Sequence, residues 1–149
     1  RVHPRIPHHG GMKPPAYEDS KLVPLSTDAL IQQRAAALIG KAIRRQLWVM
    51  FLDGNDVQLP VLVPIDGLPT EPGEGDQLSR ALRELVDEVG AHSVVLVLER
   101  YGGQELTVSD MAWARALHDA AASAEIRLRA TLLSHRRGVR WVAQDDYRF

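Results

Sequence analysis

Residues 94–98, Val-Val-Leu-Val-Leu, are apolar at five consecutive positions. In an extended chain successive side chains point to opposite faces, so this run offers water no polar face. It predicts a central strand over residues 93–98, covered by other layers on both sides. A strand of that kind restricts the chain to a layered α/β architecture. The residues after it are equally informative. Residues 99–106 read as a loop, and Thr107-x-x-Asp110 is a capping-box-like pattern that opens a helix, with Asp in place of Glu or Gln. A strand that passes through a loop into a helix N-terminus is a common place to build a site, because unpaired N–H groups are presented there. This loop carries Glu99, Arg100, Tyr101 and Glu105, but no His, Cys or Ser.

The remaining elements fall around that strand. Residues 1–25 hold five of the nine prolines and three of the six histidines, a composition that predicts an extended or disordered arm before a domain over residues 26–149. His8-His9 in that arm is read as solvated rather than metal-binding, and Met12 offers a start. Ser26-Thr27-Asp28 supplies caps for a first helix reaching to about residue 45, with Ile31, Ala35, Leu38, Ile39, Ala42 and Ile43 on one face. Residues 47–52 are a strand, Asp53-Gly54-Asn55-Asp56 a turn, and residues 57–65 its antiparallel partner. Pro60 and Pro64 cannot donate to a ladder, which places that partner at an edge or makes it bulged. Leu78, Leu82, Leu85, Val86 and Val89 mark a second, amphipathic helix ending near Gly90. The third helix begins at Thr107, with Met111, Ala114, Leu117, Ala121 and Ala124 as its inner stripe. In residues 126–134, Ile126, Leu128, Ala130 and Leu132 share one side of a strand. A turn at residues 135–138 leads to the last strand. The expected order is α-β-β-α-β-α-β-β: a mixed sheet flanked by helices in a single layered domain.

Composition excludes several classes of function. With 45% hydrophobic and 25% charged residues the chain is that of an ordinary globular protein. A formal charge of −1 disfavours bulk affinity for nucleic acid. The absence of cysteine removes disulfides, thiolate metal sites and a cysteine nucleophile, and it fits a cytoplasmic setting. No apolar run has the length of a membrane span, and no signal-peptide core is present at the N-terminus. Few lysines among the basic residues and many alanines suggest a GC-rich bacterial source. No Gly-x-Ser-x-Gly or phosphate-binding glycine pattern occurs. His92, His118 and His135 have no second ligand at metal-binding spacing, and each is read as structural or surface.

The element order and several residue runs resemble the JAB/MPN domain of the RadC-like family, whose fold is related to cytidine deaminases. Residues 47–53 are similar to that family's first strand, 78–85 to its second helix, 107–117 to the opening of its third, and 126–128 to its late strand. The resemblance covers residues 30–142. It implies a zinc motif, His-x-His-Pro at the end of the central strand followed by Ser-x-x-Asp at the helix start. Those positions fall on Val97, Glu99 and Arg100, then on Thr107 and Asp110. The aspartate alone is unchanged. The aspartate-histidine pair of the family's late strand falls on Ala130 and Thr131. A hydrolytic zinc site needs about three protein ligands and a water-bearing position. Val97 cannot ligate, and two carboxylates without imidazole make a weak, hard-cation site.

The expectation is therefore a RadC/JAB-like pseudoenzyme, a binding or scaffolding module without metal or cofactor. Glu99, Arg100, Tyr101, Thr107 and Asp110 remain as a residual pocket. Asp110 is read as a helix cap, Glu99 as solvated or paired with Arg100, and Tyr101 as a packing or pocket-lining residue. Two alternatives stay open. Glu99, Asp110 and a histidine brought near by folding would make a metal-dependent hydrolase of peptide, isopeptide or phosphodiester bonds. Arg127, Arg129, Arg136, Arg137 and Arg140 would instead form a basic patch for nucleic acid. Acids at 71, 74, 76, 84, 87 and 88 oppose that basic segment in charge, so a second copy of the chain is also a candidate partner, as is another protein.

Overall fold

The computed structural model describes residues 23–73 and 75–147. The expected arm lies outside the described residues up to position 22, but Leu25 is already buried and its N–H donates to the Asp56 carbonyl. Helix α1 is Asp28–Leu38, followed by β1 Gln46–Leu52, β2 Gln58–Asp66, α2 Gly75–Val89, β3 Ser93–Glu99, α3 Val108–Ser123, β4 Arg127–His135 and β5 Gly138–Val142. The five strands form one mixed sheet in the order β2-β1-β3-β4-β5. β3 and β4 are parallel, joined by the α3 crossover, and the other neighbours are antiparallel.

β3 takes the central place that its two-faced apolarity predicts. Leu96 and Leu98 pack with α2 and α3 on one side of the sheet, and Val95 and Val97 with α1 on the other. Among the described residues, no helix is long and apolar enough to cross a membrane.

Three expectations need correction or refinement. The first helix ends at Leu38, not near residue 45. Gly40, at φ +71°, takes the chain out of the helix, and Ile43, expected on the buried face, is 60% exposed. The strand over residues 126–134 does not keep one apolar side. The register jumps from Val94↔Leu128 to Val95↔Ala130, so Arg129 is an extra residue. Ile126 and Leu128 consequently pack with α2 and α3, and Ala130 and Leu132 with α1. β2 is both an edge strand and irregular, with Met50↔Leu62 followed by Leu52↔Gln58 around Pro60.

Both edges of the sheet are poor templates for another strand. Pro60 and Pro64 remove N–H donors along β2. On β5 the carbonyls of Val139 and Trp141 accept side-chain N–H groups from Gln32 and Arg140.

Candidate functional site

The register places the end of β3 beside the start of β1 and the end of β4, since Glu99 pairs with both Gln46 and Ser134. α2 and α3 begin at this end of the sheet. It is therefore where the loops over residues 39–45, 67–73, 100–107 and 136–137 converge, and where Glu99, Arg100, Thr107 and Asp110 meet.

Glu99 is 1% exposed and accepts four hydrogen bonds. Its Oε2 takes the backbone N–H groups of Ile43 (2.6 Å) and Arg44 (3.0 Å). Its Oε1 takes the Gln46 amide (2.8 Å) and the Trp48 indole (2.7 Å). The expectation that Glu99 is solvated or paired with Arg100 is thus corrected: it is buried, and these four donors are neutral N–H groups. Burial by itself would raise its carboxyl pKa. The bonds from Ile43, Trp48, Gln46 and Arg44 outweigh that and hold it below the ordinary value of 4.5. The break in α1 now has a reason, because a continuous helix to residue 45 would tie up the N–H groups that Glu99 needs.

Arg100 turns the other way, and its donation engages all three guanidinium nitrogens. Nε and Nη2 reach the Asp110 carboxylate at 3.1 and 2.6 Å. Nη1 donates to the carbonyls of Tyr101 and Gly103, and Nη2 also to that of Glu105. The side chain wraps the loop around itself. Gly102 sits at φ +113°, and a Cβ there would come within 3.1 Å of Arg100 Nη1, so the loop closes over the guanidinium only with glycine at this place.

Asp110 is 3% exposed and carries two duties. It closes the capping box expected at the start of α3: Thr107 N–H donates to Asp110 Oδ2 (2.9 Å), and Asp110 N–H to Thr107 Oγ1 (3.0 Å). It is also the anion of the buried Arg100 pair. Burial raises its pKa, but the Arg100 hydrogen bond, the Thr107 bonds and the Arg100 charge bring it below the ordinary 3.8.

Tyr101 is 69% exposed, and its hydroxyl donates to the Ile43 carbonyl. It lies across the surface rather than within a pocket. His135 is buried beside these loops. Desolvation first, then the charges of Arg100, Arg140 and Arg137, push it below the ordinary 6.5.

The five late arginines do not form one surface. Arg127 begins β4 and Arg136-Arg137 follow its end, roughly 25–30 Å away at strand rise. Arg129 pairs with Asp28, and Arg140 is engaged with Gln104, Trp141 and Asp146. Gln46 and Trp48 are not recognisable from sequence as partners of Glu99, because only the β1–β3 register brings them there. The arrival of Lys41 at the same end of the sheet is equally hidden in the sequence, because it follows from the break in α1.

Among the described residues, no group of three or more His, Asp or Glu side chains is placed to hold a metal ion. An apolar cavity of about 290 Å³, lined by Pro69, Pro72, Leu78 and Trp113, includes none of Glu99, Arg100, Tyr101, Thr107 and Asp110. No family model matches the chain, and no curated protein matches it.

The three shifted groups give stability one sign of pH dependence. Each releases its proton more readily folded than unfolded, so the unfolded chain binds more protons and stability falls on acidification. His135 contributes the first loss as pH drops below 6.5, and Glu99 and Asp110 a second below about 4.5. Urea unfolding from pH 8 to pH 3 checks this: the midpoint is expected to fall below about pH 6.5 and again below about 4.5, and a midpoint that rises between pH 6.5 and 4.5 contradicts it.

Proposed function

We propose that this chain is a catalytically silent RadC/JAB-like domain that serves as a binding or scaffolding module. One observation carries the reading. At the place where the resemblance sets an imidazole-held cation next to Asp110, the positive charge facing Asp110 is the Arg100 guanidinium. Glu99, at the second imidazole position, spends its oxygens on four N–H donors. Neither carboxylate is poised to ligate a metal or to activate a water. A mixed sheet with helices on both faces and loops converging at the end of β3 is compatible with the deaminase-related fold that the resemblance implies.

The hydrolase alternative requires Glu99, Asp110 and a histidine to converge on one ion, and the separate partner sets of the two carboxylates speak against it. Elemental analysis of the purified chain tests the reading. Zinc is expected at background level; about one zinc per chain would overturn it.

A further inference from the structure

The charge balance of −1 hides an uneven distribution. Three backbone segments converge at the Glu99 end of the sheet: Ala42 N–H donates to the His135 carbonyl (2.9 Å), Arg136 N–H to that of Gly102 (2.9 Å), and Tyr101 Oη to that of Ile43. These contacts bring Lys41, Tyr101, Arg136 and Arg137 to one surface, and all four side chains are exposed. Lys41, Arg136 and Arg137 make no ion pair among the described residues, whereas Arg44 is paired with Asp66. Two acids lie close to this surface: Glu99, buried beneath it on the N–H groups of Ile43 and Arg44, and Glu105, whose Oε1 would be 3.4 Å from a Cβ at Gly103. The opposite end of the sheet carries Asp53, Asp56, Asp87 and Glu88. Tyr101 has its hydroxyl tied down, so an aromatic ring beside two glycines is what this surface offers a ligand.

We propose that Lys41, Tyr101, Arg136 and Arg137 form a binding surface for single-stranded nucleic acid. This rests on the silent-module reading and deepens it by naming its partner. Unpaired cations meet phosphates, and a fixed ring face takes a base by stacking, the combination used by proteins that bind single strands without reading sequence. An extended peptide is less well served. Its main chain would need free backbone groups, but the N–H groups of Ala42 and Arg136 are engaged and both sheet edges are blunted.

Fluorescence anisotropy of the full chain with a labelled oligothymidylate of about a dozen nucleotides tests this. Three phosphate contacts predict a log–log salt slope of about −2. Arg136→Ala with Arg137→Ala should weaken binding about tenfold or more and bring the slope toward −1. Tyr101→Ala should weaken it about fivefold or more with the slope unchanged. Arg127→Ala, at the far end of β4, should bind as the unaltered chain does. No binding at low salt, a flat salt response, or an Arg127→Ala loss equal to that of the Arg136/Arg137 variant would overturn the proposal. So would a neutral Tyr101→Ala with polyglutamate competing as well as the oligonucleotide, which would point to an acidic protein. These outcomes leave the zinc content untouched, so failure here is distinguishable from failure of the silent-module reading.

Discussion

Replacing Arg100 by methionine is expected to lower the unfolding free energy by about 3–5 kcal/mol. The substitution leaves the Asp110 carboxylate buried without its cation, and the carbonyls of Tyr101, Gly103 and Glu105 without a donor. For a chain of this length that is a fall in melting temperature of about 10 °C or more. Adding Asp110→Leu should recover part of the loss, because the unpaired charge goes with it. Recovery should stop short of the unaltered chain, since the loop carbonyls stay unpaired and α3 loses half its capping box. Chemical denaturation of the single and double variants measures this. A loss below about 1 kcal/mol for Arg100→Met would mean that the pair is a surface-like contact of little consequence.

Glu99→Gln is the second large effect, and it separates a structural carboxylate from a catalytic one. The amide keeps one acceptor oxygen and turns an NH2 group toward two of the four N–H donors that Glu99 now satisfies. Two buried donors are left unmet and face another donor, at a cost of about 2–5 kcal/mol. The Trp48 indole is one of the groups at risk, so its near-ultraviolet circular dichroism should change with the loss of stability. A catalytic glutamate behaves differently: its amide variant loses activity while stability holds or rises. Unchanged stability in Glu99→Gln would therefore favour a poised, functional carboxylate over a structural one.

How far the sequence discloses this arrangement depends on the range of the interaction. The central strand is legible because five apolar residues in a row leave no choice of face. α2 is legible because its apolar stripe repeats over several turns, and the start of α3 because the Thr107–Asp110 box is closed within four residues. The end of α1 is not. Ala42 and Ile43 continue its apolar face in sequence, and the chain breaks instead after Leu38 and frees the N–H groups of residues 43 and 44 for Glu99, more than fifty positions away. The bulge at Arg129 is hidden for a related reason, because alternation across residues 126–132 looks regular until the register with β3 is known.

The candidate site is legible as a set of residues but not as a set of bonds. Glu99 and Arg100 are neighbours of opposite charge, and pairing them with each other is the natural inference from sequence. Successive strand-end side chains point apart, however, so each finds a partner on its own side: Gln46, Trp48 and the 43–44 backbone for Glu99, Asp110 and the loop carbonyls for Arg100. Charge runs mislead in the same way. Late arginines close in sequence are divided between the two ends of β4, and Lys41 joins two of them from a distant segment.

If a guanidinium, not a metal ion, supplies the cation beside Asp110, the folded chain gains nothing from zinc. Thermal unfolding of the full chain with excess chelator and again with excess zinc tests this most directly, because an ion that binds the folded state must raise its melting temperature. Superimposable melting curves are predicted. A transition lowered by the chelator and restored by zinc would contradict the assignment of that cation to Arg100.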